Sequence, residues 1–195
     1  MDYLGFRVIN AFMSKTPKGF YDPVKGHTGI DLNMPEGTAI SLPFEVKVAQ
    51  FLKQSEMGNT LYLKDNAGNV LVFAHLKDVL VRTNDTIKAG STFAHSGNTG
   101  STTTGPHLHF EIIAKEPEAG AEHMTRELGG FSGYNIDPGA YLDSVTVPTW
   151  HKLDWMKEHG FITIDKDPST PVTWGEFSVV LYRLVKKVLE WVRNP

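Results

Sequence analysis

Through about residue 145 the apolar residues of this chain recur at alternate positions, and no 3.6-residue period establishes itself. Alternation sends successive side chains to opposite faces of an extended backbone, so this part of the chain has to be built from strands that bury at least one face. Leu61 and Leu63, then Val70, Val72 and Ala74, flank Asp65-Asn66-Ala67-Gly68-Asn69. That pattern predicts a hairpin with one buried face. Further strands are expected over 39–42, 46–52, 91–94 and 107–113. Short strands with frequent turns and no intervening helices favour a mainly β fold, a small antiparallel β-sheet core, over alternating βα units. The Gly- and Glu-rich stretch 114–135 is long for a plain connection. It reads either as a functional loop at the rim of a site or as an unstructured insertion.

Beyond Pro148 the period changes. Trp155, Met156 and His159 indicate a short helix that Gly160 would end. Trp174, Phe177, Leu181, Leu184, Val185, Val188 and Val192 follow the i, i+3, i+4, i+7 spacing of a second helix, with Thr173 and Glu176 as a capping box at its start. Two domains are therefore expected, 1–145 and a C-terminal α-helical appendage over 146–195. The apolar face of that appendage must be covered, by the first domain or by a second chain, so self-association through these helices is an expectation.

Of the 195 residues none is cysteine and 8 are histidine. This excludes disulfides, thiolate zinc sites and cysteine nucleophiles, and any metal must take nitrogen and oxygen ligands. A net charge of −3 argues against nucleic acid as a partner. No apolar run approaches the length of about 20 residues that a membrane span needs. Met1 through Arg7 show neither a basic start nor an apolar stretch, so no signal peptide is expected.

The histidines gather in three places. His27 and Asp31 lie four apart and His107 and His109 two apart, even spacings that put each pair on one face of an extended segment. His75 follows the alternating run 70–74. Four imidazoles and a carboxylate from three segments suit a catalytic metal site with three protein ligands and one open position. By spacing, the ligands are His27, Asp31 and one of His107 and His109. Glu111 shares their face and reads either as part of the site or as a partner that orients an imidazole. His95, His123, His151 and His159 have no partner at ligand spacing. The helix-borne His-Glu-x-x-His arrangement is absent, a zinc deaminase lacks its cysteines, and Gly97-Asn98-Thr99-Gly100 lacks the lysine of a phosphate loop.

Taken in order, Gly26-His27-Thr28-Gly29-Ile30-Asp31, Phe73-Ala74-His75-Leu76, Gly97-Asn98-Thr99-Gly100 and Gly105-Pro106-His107-Leu108-His109-Phe110-Glu111 resemble the LytM/lysostaphin-type zinc endopeptidases, which are peptidoglycan hydrolases. The resemblance runs from about Arg7 to Leu142 and includes Asn135-Ile136-Asp137-Pro138-Gly139-Ala140-Tyr141-Leu142. It implies a β core with a substrate groove across the metal, Zn2+ on His27, Asp31 and His109, and His75 and His107 as catalytic histidines. The implied reaction is hydrolysis of cross-links or stem peptides of bacterial peptidoglycan by a metal-activated water, with proton handling divided between the two catalytic histidines. All five residues are present, whereas a non-catalytic wall-binding or regulatory module of the same fold would tolerate the loss of one. Such an enzyme acts outside the cell or at the wall. Without a signal peptide, the resemblance points to a phage lysin, a virion-associated enzyme or a fragment of a longer protein. Trp155 through Ile162, Pro171 through Phe177 and Leu181-Tyr182-Arg183-Leu184 resemble an S-layer-homology-like half module. A sugar-transport phosphocarrier is disfavoured because Asp31 would repel the phosphate, and a cupin because Ile113 and Ala114 stand where it needs a glutamate.

Overall fold

The computed structural model describes residues 2–14, 26–117 and 123–146. In chain order the strands are β1 (Asp2–Tyr3), β2 (Phe6–Asn10), β3 (Ile30–Leu32), β4 (Ala39–Ile40), β5 (Val46–Gln54), β6 (Gly58–Lys64), β7 (Val70–Leu76), β8 (Asp78–Val79), β9 (Thr86–Ile87), β10 (Ala94–His95), β11 (Leu108–Ala114), β12 (Met124–Leu128) and β13 (Phe131–Ile136), followed by helix α1 (Pro138–Thr146). Ten strands form one sheet in the order β1-β2-β3-β11-β7-β6-β5-β9, with β13 on β11 and β12 on β13; β4, β10 and β8 form a second, small sheet. Every strand pair among the described residues is antiparallel. The mainly β, antiparallel architecture expected from the alternation is the one found.

Strand β11 organises the molecule. Its Leu108, Phe110 and Ile112 face one side and pack with Ile30 and Leu32 of β3 and Leu71 and Phe73 of β7 in the main core. Register carries this through the sheet, because Phe110 lies opposite both Ile30 and Phe73. The alternate positions, His109, Glu111 and Ile113, face the other side. The Phe73 ring sits at the centre of the core, 5.1 Å from the ring of Phe93 and 4.8 Å from that of Phe110. Phe73→Ala is expected to cost about 3–5 kcal/mol, read as a drop in the urea midpoint, because a void of that size cannot be refilled by a two-layer β structure.

Four elements differ from the sequence expectation. The 61–74 hairpin forms around Asp65–Asn69, with Asn69 N and Nδ2 both donating to the Asp65 carboxylate at 2.8 Å. Its second strand, however, is buried on both faces. The reason is the second difference: 114–135 contains the β12–β13 hairpin. Leu128 and Phe131 of this hairpin cover Tyr62, Val70, Val72 and Ile113. Its turn is Gly129-Gly130, both with positive φ, as a two-residue turn between right-twisted strands demands. Third, the chain forms α1 after β13, started by Asp137, whose Oδ1 accepts from Gly139 N at 2.8 Å, and by Pro138 at the first helical position. Fourth, the strand expected at 91–94 is shifted to Ala94–His95, where pairing with both β4 and β8 fixes it. The two helices expected beyond Pro148 lie outside the described residues, as does the tail's S-layer-like resemblance. Among the described residues no helix is long and apolar enough to cross a membrane.

Candidate metal centre

Register brings the donors together. Asp31 lies directly opposite His109 in the β3–β11 ladder, so both side chains leave the sheet on the face away from the core. The turn into β3 runs flush against β11, and a Cβ on Gly29 would collide with the carbonyl oxygen of Phe110. Only glycine lets His27 and Asp31 approach His109 this closely. Between Val8 and Asn10 the β2–β3 register shifts, leaving Ile9 exposed and turning Asn10 toward the site. Asn10 Nδ2 donates to Asp31 Oδ2 at 2.8 Å.

His75 arrives by a different route. Strict alternation would place it with Leu71 and Phe73, in the apolar core. A register shift between Leu61/Phe73 and Asn59/Leu76 adds a residue to β7, and His75 itself has φ of 57°. Bulges re-aim side chains in this way, and a left-handed backbone at a non-glycine residue is strain that the surrounding structure must hold. Here His75 N donates to Met57 O at 2.9 Å, and its Nδ1 donates to Thr99 O at 2.8 Å.

Three donor atoms converge. His27 Nε2, Asp31 Oδ1 and His109 Nδ1 lie 3.2, 2.9 and 3.0 Å apart pairwise. Ligands on a tetrahedral zinc are about 3.3 Å apart, given bonds of about 2.0–2.1 Å, so this triangle needs only a slight expansion to hold the ion. His107 Nε2 lies 3.8 Å from the same Asp31 oxygen, and its ring is 4.7 Å from that of His75. The structure thus brings together His27, Asp31, His75, His107 and His109. His95 is instead on the small sheet, 2.6 Å from Asp78, and His123 packs on the Tyr134 ring. His151 and His159 lie outside the described residues.

Each of the four imidazoles is oriented through its other nitrogen. His27 Nδ1 donates to Ala11 O at 3.2 Å and His107 Nδ1 to Gly105 O at 2.8 Å. His109 Nε2 donates to Glu111 Oε2 at 3.3 Å. Carbonyl and carboxylate oxygens can only accept, so the outer nitrogen of each ring carries a proton, and the nitrogen facing the cluster is the one that would offer its lone pair to a bound ion. Glu111 is therefore the orienting partner of an imidazole, one of the two roles its spacing allowed. Thr28 Oγ1 and Arg126 also bind its carboxylate. Burial disfavours ionisation of Asp31, but hydrogen bonds from His109 and His27 outweigh it and hold the carboxyl well below the usual carboxylate range. At His109 burial opposes the charged form and is again outweighed, here by Asp31 and Glu111, which raise it to about 9. Burial takes His75 the other way, down to about 4, so this imidazole is uncharged at neutral pH.

The cluster opens into a groove of about 530 Å³. Gln54, Glu56 and Thr102 line it from the β5–β6 turn and the loop before β11, and Thr125, Arg126 and Leu128 line it from the β12–β13 hairpin. Asn10 and Arg126 carry no motif that marks them in the sequence, and Thr28, though inside the first motif, has nothing in its spacing that assigns it a role. The Gly129-Gly130 pair could have revealed the hairpin that delivers Arg126.

Residues 25–120 match the model of peptidase family M23. The chain is also 34% identical to LytU, covering 58% of its own length and 77% of that solved structure, with a TM-score of 0.50. The chain belongs to peptidase family M23. The M23 fold extends beyond the matched segment. The catalytic domain of lysostaphin, an antimicrobial peptidase from Staphylococcus simulans, superposes with a TM-score of 0.57 over 71% of this chain and 92% of that domain, at 24% identity. Among curated proteins, the peptidoglycan DD-endopeptidase ShyB of Vibrio cholerae is 34% identical over 109 residues, which is 56% of this chain and 25% of ShyB. The M23 segment matches only 19% to 25% of the length of the first curated relatives, which are longer proteins.

Proposed function

We propose that this M23 chain is a zinc-dependent endopeptidase that hydrolyses the cross-links or stem peptides of bacterial peptidoglycan. The observation that carries the proposal is the convergence of His27 Nε2, Asp31 Oδ1 and His109 Nδ1 at the bottom of a groove, with His75 and His107 beside them. On this reading the first three residues hold the ion and the last two are the catalytic histidines. Likeness to ShyB, a peptidoglycan DD-endopeptidase, supports the reaction, and the fit of two imidazoles and one carboxylate to a zinc that keeps a position open supports the metal. When bound, zinc supplies Lewis acidity that polarises a carbonyl and makes water acidic near neutral pH.

The rest falls to the chain's own side chains. His75 and His107 both donate from Nδ1 to backbone oxygens, which leaves Nε2 as the nitrogen that takes or gives a proton. Uncharged His75 suits removal of a proton from the attacking water, and only with that proton on Nε2 can it deliver one to the leaving amine. His107 is near enough to the donor triangle to take the other part or, with a proton on Nε2, to stabilise the developing oxyanion. The groove walls hold the peptide, and the site of action on this reading is the cell wall.

The test is release of peptide fragments from purified sacculi by the full chain before chelation, after it, and after zinc is restored. Release that stops on metal removal and returns with zinc is the expected result, and mass spectrometry of the fragments names the bond. Undiminished release from metal-free protein overturns the proposal. Zinc binding with no fragment release at all reduces the chain to a wall-binding module.

A further inference from the structure

We infer that Arg126, on the β12–β13 hairpin, is a positioning residue for the metal centre, acting through Glu111 on His109. The inference rests on the zinc reading above and goes beyond it by adding a segment in which no motif was found.

Glu111 is fully buried, and both of its oxygens are engaged. Oε2 accepts from Thr28 Oγ1 at 2.6 Å, from His109 Nε2 at 3.3 Å and from Arg126 Nη2 at 3.3 Å, while Oε1 accepts from Arg126 Nε at 2.8 Å. The terminal torsion of a glutamate has no sharp preference of its own, so its contacts set the plane of the carboxylate. Arg126 grips both oxygens with a planar fork, the strongest orienting contact available to a carboxylate. That fork aims Oε2 at His109 Nε2, and the bond it makes there fixes the plane of the ring and with it the direction of Nδ1. Without the fork, Thr28 alone would hold Oε2, and the ring would be free to turn its Nδ1 out of the donor triangle.

The hairpin does not depend on Arg126 for its own place. β13 is laddered to β11 through Ile112, Ile113 and Ala114. The tip is seated on Tyr62, where a Cβ at Gly129 would come within 2.6 Å of the ring, and Gln50 Nε2 donates to Gly129 O. Phe131 packs against the same ring at 5.5 Å. A rigidly held hairpin is what a positioning residue needs, and it allows the side chain to be changed without displacing the backbone.

The experiment measures zinc affinity of the full chain by competition with a chromophoric chelator, alongside melting of the metal-stripped proteins. Arg126→Met, which keeps the stem and removes the fork, is expected to weaken zinc binding by about 10- to 100-fold. Arg126→Lys should fall between Arg126→Met and the parent, and Thr28→Val should shift affinity in the same direction. Glu111→Gln combined with Arg126→Met should be no worse than Glu111→Gln alone, since both act through one carboxylate. Equal affinity in parent and Arg126→Met overturns the inference, and so does a loss of affinity no larger than the loss of stability in the metal-stripped form. Should Arg126→Met fail to fold, Arg126→Lys decides, because it retains stem and charge and lacks only the fork. A parent that binds no zinc brings down the functional reading and the inference with it; a parent that binds zinc as tightly as its Arg126→Met variant leaves that reading intact and removes only the inference.

Discussion

Asp31→Ala is expected to bring hydrolysis of wall peptides down to the level of the chelated protein and to release the metal. Asp31 supplies the charge that the two imidazoles cannot, and its Oδ1 is the atom on which His27 and His109 converge, at 3.2 and 2.9 Å. Loss of an outer partner of a metal ligand typically costs 10- to 100-fold in affinity or activity, so loss of a ligand should exceed about a hundredfold. The variant also leaves two buried imidazole nitrogens facing each other at 3.0 Å with no anion between them. Asp31→Asn keeps the shape and removes the charge, and it should fail in the same way if charge is what matters. Metal content of the dialysed protein and fragment release from sacculi are the two readings. Stoichiometric zinc with an undiminished rate in either variant would remove Asp31 from the donor set.

His107→Ala and His75→Asn are expected to leave zinc in place and lower kcat by about 10²–10⁴-fold, the usual contribution of a positioned acid or base. Neither side chain belongs to the donor triangle, and both are anchored from behind by Thr99 O and Gly105 O, so removing them need not disturb the metal. Asparagine is chosen at 75 because that residue has φ of 57°, a conformation asparagine tolerates better than most residues. The effect should fall on kcat, with KM little changed, since a group that moves protons acts in the transition state. Comparable turnover in either variant rejects that histidine's role, and loss of zinc in either would move it into the donor set.

The five residues picked out by spacing and resemblance, His27, Asp31, His75, His107 and His109, meet in one cluster, of which Asp31, His75, His107 and His109 line the groove. His107 and His109 obey the local rule that even spacing on an extended segment keeps two side chains on a common face, while His27 meets Asp31 through the bend at Thr28-Gly29. His75 breaks that rule. By alternation it belongs with Leu71 and Phe73 in the core, and only the bulge in β7 delivers it to the groove. Its position after the 70–74 strand groups it with the other imidazoles and the resemblance implies its role, but alternation does not predict the face it takes. The 114–135 stretch shows the opposite failure. Its Gly129-Gly130 turn stands in the sequence, but the apolar alternation of β12 is broken by Arg126, which shares the covered face with Met124 and Leu128 and reaches Glu111 there.

By itself the sequence determined that this chain is a mainly β, cysteine-free domain with a nitrogen-and-oxygen site, because strand alternation and ligand spacing are properties of a few neighbouring residues. The tertiary structure decided the rest. Asn10 reaches Asp31 across 21 positions, Arg126 reaches Glu111 across 15, and Thr28 reaches Glu111 across 83. Those contacts hold carboxylates and rings, and they exist only where the sheet register places distant strands side by side. No local pattern encodes such a contact, because Asn10 and Arg126 taken alone are ordinary polar residues on strands.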